Sequence, residues 1–142
     1  MGKLSINNIS RYKLKRIPLG SGDILHAMKI NDPGYLKFGE IYFSSINYKS
    51  VKAWKRHKLM TLNLVVPFGD VKFAFFDDKN NRHTDIIGDS NYIRLTVPPG
   101  IWFGFKGLKN PFSLVMNLAD IPHDPVEVER KDFKEFNYDW ND

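Results

Sequence analysis

Apolar and polar residues alternate in short runs along this chain, and clusters of turn-forming residues separate the runs. Stretches rich in Val, Ile, Leu, Phe and Tyr occupy 39–46, 51–54, 61–67, 71–76, 92–97, 102–105 and 112–118. Branched and aromatic side chains at a spacing of two favour strands, because alternate residues then share one face of a pleated sheet. The breaks carry turn chemistry: Asp32-Pro33-Gly34, Pro67-Phe68-Gly69, Asp77 to Asn81, Gly88-Asp89-Ser90-Asn91 and Pro98-Pro99-Gly100. No long segment holds an apolar stripe at helical spacing, and only 126–136, behind Asp124-Pro125, offers a turn or two of helix. Short strands with regular breaks predict an antiparallel sandwich or barrel, and the lack of helices speaks against a βαβ arrangement.

The chain has 142 residues without repeat or linker, which suits a single domain spanning 1–142 with one core. Cysteine is absent, so disulfide scaffolds, zinc ribbons and thiol nucleophiles are excluded. Apolar runs such as Leu62–Phe68 fall far short of the roughly eighteen residues that a membrane span needs, so no membrane partner is expected. The N-terminal MGKLSINNISRYKLKR has no apolar signal region, which makes the cytoplasm the expected location. A formal charge of +5 and an isoelectric point near 9.4 change the picture most, because they call for an anionic partner.

Much of that charge is local. Lys52, Lys55, Arg56 and Lys58 crowd around His57. If the strand continues unbroken, Lys55, His57, Thr61 and Asn63 share one face, while Arg56 and Lys58 point the other way. A polar inner face is costly unless it lines a wet binding pocket; an exposed basic loop is the alternative. Downstream, 91–105 reads as an alternating strand, a Pro-Pro-Gly turn and an aromatic strand. Trp54, Trp102 and Phe105 are expected in the core. His83 is expected in a polar turn, His26 in a strand-like run and His123 in the His-Asp-Pro turn, none with a catalytic part. Aromatics among basic residues, as in Tyr48-Lys49 and Trp54-Lys55-Arg56, could form a single-strand platform. No recognition motif accompanies them and sixteen acidic residues are dispersed along the chain, so nucleic acid is not the expected partner.

Together the two segments resemble the paired motifs of the cupin superfamily. Lys55-x-His57 stands where the first motif has His-x-His, with Gly69 as its closing glycine. Pro98-Pro99-Gly100 matches the turn of the second motif, with Phe103 in place of its final His. Cupin metal sites use about three imidazoles and a carboxylate. Only one imidazole remains here, so neither a metal nor another cofactor is expected. Within the superfamily the chain is most similar to the dTDP-4-dehydrorhamnose 3,5-epimerase family, over 32–140. Phe38-Gly39-Glu40, 51–57, 67–76, 97–105 and the ending His123-Asp124-Pro125 … Tyr138-Asp139-Trp140 carry the likeness.

That resemblance implies an all-β jelly-roll barrel and a homodimer paired through 39–46. It also implies a metal-independent epimerase or isomerase acting on a nucleotide-activated 4-keto-6-deoxy sugar, in the synthesis of surface polysaccharide or lipopolysaccharide. The family's catalytic His falls on Lys55, its Tyr on Asn117, and its enolate-stabilising Lys near Leu62 or Asn63. On this implied scheme His57 moves the proton, Lys55 stabilises the enolate and Asn117 occupies the acid's place. Arg56 and Lys58, with Lys52, attract the diphosphate; Phe38 and Glu40 hold the base, and Asn63 touches the sugar. The sugar-nucleotide 3,4-ketoisomerases are a partial likeness, because their Arg-Gly-x-His-x-His-Lys motif falls on 52–58 and keeps His57 and Lys58. The replacements at Lys55, Phe103 and Asn117 also leave a different class open, a cupin that binds a sugar nucleotide without turnover.

Overall fold

The computed structural model describes residues 4–141, and its regular structure is almost wholly antiparallel strand. These are β1 (Ser10–Lys13), β2 (Arg16–Ile17), β3 (Ile24–Leu25), β4 (Glu40–Asn47), β5 (Val51–His57), β6 (Leu62–Phe68), β7 (Asp70–Phe76), β8 (Arg82–Gly88), β9 (Ile93–Val97), β10 (Trp102–Gly107), β11 (Phe112–Ala119) and β12 (Val128–Arg130). One five-stranded sheet has the order β1-β9-β6-β11-β4, a second the order β12-β5-β10-β7-β8, and β2 and β3 form a small ribbon. The expected all-β jelly roll is therefore the fold.

Residues facing inward from both sheets make one core, including Leu62, Leu64, Phe73, Phe75, Leu95 and Phe103. Each such large side chain, fully buried, stabilises by about 1.5–3 kcal/mol. A second cluster lies on the outer face of the second sheet, where Trp54, Phe76 and Trp102 meet Trp140, Phe136 and Tyr138 from the chain's end. The Trp54 ring meets Phe76 edge-on at 5.1 Å, and its Nε1–H donates to the Phe133 carbonyl at 3.0 Å. This seam holds the C-terminal segment against the second sheet and so sets β12 beside β5.

Several sequence expectations need correction. Strand β8 falls on a stretch read as polar, because it is an edge strand whose side chains alternate between exposed and partly buried. His83 thus lies within β8, 3.0 Å from Asp85, and not in a turn. The 126–136 region holds only short 3₁₀ turns, Pro125–Glu127 and Phe133–Glu135, with β12 between them. The first turn is capped as expected, Asp124 accepting from the Val126 N–H at 3.1 Å. Asn63 does not continue the face of Lys55 and His57. The chain leaves the sheet between β5 and β6, and β6 re-enters with Leu62 and Leu64 inward. Asn63 is turned to the opposite side, buried under the Pro33-Gly34 loop, where its Nδ2 donates to the Gly34 carbonyl.

Candidate active site

A cleft of about 460 Å³ opens between the two sheets, with Tyr42, Leu64 and Asn117 on one wall and Lys52, Lys55 and Phe103 on the other. Strict alternation cannot place Lys52 and Lys55 on one face, since they are three residues apart. The register makes it possible: Phe105 faces Lys52, Gly104 faces Ala53 and Phe103 faces Lys55, with one extra residue on β5. Such a bulge reverses the phase of the side chains on one strand. Gly104 is what lets β5 lie so close, because a Cβ there would sit 2.6 Å from the Ala53 Cβ and 3.0 Å from the Trp54 ring.

The two lysines differ in company. Lys52 donates to Ser44 Oγ at 3.1 Å and to the Ser45 carbonyl at 2.8 Å. Lys55 is half-buried and makes no hydrogen bond or ion pair among the described residues. Burial lowers its pKa, and the charge of Arg130 adds to that effect.

Next on the same face, two residues beyond Lys55, His57 is buried and stacked on Phe103 with ring centroids 6.2 Å apart. Its Nδ1 lies 2.5 Å from Glu127 Oε2. The other carboxylate oxygen accepts from the backbone N–H groups of Leu59 and Met60 at 3.0 and 2.9 Å. Burial alone would raise the Glu127 pKa, but the His57 contact and these two N–H groups bring it below the usual value. For His57 burial lowers the pKa, outweighing the opposing pull of Glu127. The result is a neutral imidazole that donates from Nδ1 to a carboxylate. Its Nε2 lone pair is buried and unpartnered. A buried polar atom without a partner costs about 1–3 kcal/mol, so its retention calls for a role.

Across the cleft, Asn117 Nδ2 donates to the Tyr42 hydroxyl oxygen at 3.1 Å, while Asn117 Oδ1 accepts from the Asn63 N–H. The Tyr42 oxygen already receives one proton, so its own O–H is free to donate into the cleft. Burial raises its pKa, and the nearby charges of Glu40 and Glu127 act in the same direction against the Asn117 hydrogen bond. Sequence reasoning placed only Asn117 here. Tyr42 sits directly opposite it in the β4–β11 register, so strand pairing was the missing information. Glu127 was quoted only as part of a terminal motif, and the pairing of β12 with β5 brings it to His57.

The remaining expected residues lie elsewhere. The Arg56 guanidinium turns outward to Glu129 at 3.0 Å and Asp78 at 2.8 Å, above the Trp102 ring, and its pKa is raised chiefly by Glu129. Lys58 is exposed after the strand, and neither it nor Asn63 lines the cleft. Phe38 is 61% exposed just before β4. Glu40 begins β4, with a buried Oε1 that has no partner. The basic rim of the cleft comes instead from Lys52, Arg130 and Lys131. Among the described residues no three His, Asp or Glu side chains converge as a metal site.

No family model matches the chain. A solved structure of a dTDP-sugar isomerase from Desulfovibrio desulfuricans G20 superimposes with a TM-score of 0.90 at 34% identity, covering 94% of this chain and 91% of that one. The chain belongs to the dTDP-sugar isomerase family of cupins. A second protein is similar in sequence: the probable low-salt glycan biosynthesis epimerase Agl13 of Haloferax volcanii is 27% identical over 114 residues, spanning 72% of this chain and 73% of its own. The fold is shared more widely. A dTDP-4-dehydrorhamnose 3,5-epimerase from Elizabethkingia anophelis NUHP1 gives a TM-score of 0.77 at 14% identity, over 98% of this chain and 84% of that one.

Proposed function

We propose that this protein is an epimerase or isomerase of a dTDP-type 4-keto-6-deoxy sugar, working by proton transfer next to the ketone, without a metal, in surface-polysaccharide synthesis. The observation that carries the reading is the imidazole of His57, held by Glu127 with Nε2 unpaired and buried behind Phe103, on the same strand face as Lys55, which lines the cleft with Tyr42 on the opposite wall. His57 Nε2 takes the proton from the carbon beside the carbonyl, and Glu127 stabilises the imidazolium that forms. Lys55 acts at the carbonyl, where negative charge develops. The Tyr42 O–H, positioned by Asn117, returns a proton from the opposite sheet. Acid and base drawn from the two facing sheets suit inversion at a sugar carbon. Lys52, Arg130 and Lys131 attract the diphosphate at the rim, and the apolar side chains of Leu62, Leu64 and Val115 suit the 6-deoxy methyl.

Incubation with dTDP-4-keto-6-deoxyglucose in deuterated water tests this. Deuterium should enter at C3 or C5 by NMR in the wild type and stay out in His57→Asn. If both are equally silent while the sugar nucleotide still binds, the protein is a binding cupin and the enzymatic reading is lost.

We also propose a homodimer through β4, in the cytoplasm. Strand β4 is the edge of its sheet, and Phe43 on it is 59% exposed, with Ile41 and Phe38 exposed nearby. Among the described residues no helix is long and apolar enough to cross a membrane.

A further inference from the structure

We infer that Lys55 acts covalently: its free amine condenses with the sugar ketone to form an imine, and the proton transfers then occur on the imine. The inference rests on the proposed 4-keto sugar substrate and concerns how the same site activates it.

A lysine becomes a nucleophile when it is desolvated, has no hydrogen-bond acceptor that requires its protons, and lies near other cations. Lys55 meets all three conditions. It is half-buried between the sheets with Leu62, Leu64, Phe103 and Val115 lining the same cleft. Among the described residues it makes no hydrogen bond or ion pair. Arg130 and Lys52 are the nearby positive charges, and burial with Arg130 lowers its pKa against the pull of Glu127. Lys52 is the internal contrast. Its ammonium gives protons to Ser44 and Ser45, which fixes it as a charged donor for phosphate oxygens.

The chemistry balances with water and with protons exchanged with solvent. The neutral amine adds to the C4 carbonyl, and the carbinolamine hydroxyl takes up one proton from solvent and leaves as water, giving a protonated imine; the proton is given back on hydrolysis. That cation draws electrons from the neighbouring carbon, so His57 Nε2 removes the C–H proton and a neutral enamine forms. Tyr42 delivers a proton to the other face of the same carbon, restoring the protonated imine. Water then adds and releases the ketone and the free amine. No oxidant or reductant takes part. A charged Lys55 bearing on an enolate would need its proton retained, and the apolar lining works against that state.

The test uses the full chain with dTDP-4-keto-6-deoxyglucose in deuterated water, with exchange followed by NMR. Cyanoborohydride, which reduces protonated imines, is then added before intact-mass and peptide analysis. The expected result is exchange together with a mass gain equal to the substrate less one oxygen atom, mapped to Lys55. Exchange without any adduct overturns the covalent role and leaves the proposed function standing. Absence of both exchange and adduct, with the sugar nucleotide bound, overturns the proposed function and this inference with it. Lys55→Arg keeps the charge but cannot condense, so exchange should fall to the level of buffer. Exchange within a few-fold of wild type in that variant also overturns the inference.

Discussion

Arg94 and Lys55 are both cations drawn into the body of a β-barrel without a carboxylate partner, and the molecule uses them in opposite ways. Arg94, 1% exposed, gives its protons to Asn63 Oδ1, Thr96 Oγ1 and the Pro33 carbonyl, each at 2.8 Å, and its guanidinium lies 4.8 Å from the Tyr12 ring centroid. Burial lowers its pKa, yet a guanidinium stays charged, and three of its protons go to neutral acceptors while Nε is buried without a partner. Lys55 has lost water without gaining acceptors. One cation pins a loop to a sheet; the other is left reactive. The difference lies in the hydrogen-bond inventory around each charge.

The strongest way to break this contrast is to remove each cation in turn. Arg94→Met should destabilise the fold by about 3 kcal/mol, since buried acceptors on Asn63 and Pro33 lose their donor. Lys55→Met in the same urea titration should leave stability unchanged or higher, because an unpaired, part-desolvated amine disappears. Equal losses in the two variants would erase the distinction.

Next in size is the support of the imidazole. Glu127→Gln replaces the carboxylate that holds His57 Nδ1–H and should slow solvent exchange into substrate about a hundredfold, with the circular-dichroism spectrum intact. Tyr42→Phe should cost less, about tenfold, because water can return a proton, and inversion should suffer more than simple exchange at the same carbon. Retained inversion in Tyr42→Phe would place the acid elsewhere.

The smallest effect is on acid stability. His57 has a lowered pKa in the fold, so the unfolded chain binds its proton first as the pH drops through about 6.5. Stability contributed by the neutral imidazole is thus fully present above that value and is lost as pH falls toward the folded pKa. Glu127, also lowered, adds a further loss below its unfolded value near 4.5. His57→Asn should flatten the upper part of that acid slope in thermal melts, and an unchanged slope would show that folding does not shift the His57 pKa.

The fold was largely legible because its inner strands are dense in branched and aromatic residues. Leu62–Phe68 and Phe112–Ala119 could hardly be anything else. Strand β8 was not, since an edge strand such as 82–88 needs an apolar pattern on one side only and carries Arg82, Thr84 and Asp85 besides. At the site, Lys55 and His57 could be singled out because basic residues on an inner face have to be accounted for. Arg56 could not be excluded, as its partners Glu129 and Asp78 lie 73 and 22 residues away. Nor could Tyr42 be included, because its role depends on register with Asn117. Local pattern fixes which strands exist; pairing across dozens of residues decides which side chains meet.

The close approach at Gly104 has a consequence for descent. The extra residue in β5 turns Lys52 to the same side as Lys55, and it fits only where position 104 lacks a side chain and position 53 is small. Any lineage that keeps both lysines in the cleft is then constrained at two positions with no chemical role of their own. Glycine at 104 and alanine or glycine at 53 should be inherited together, and a relative that has lost one should have lost the other. That linked pair offers a way to sort relatives by the geometry of their lysines from their genes alone.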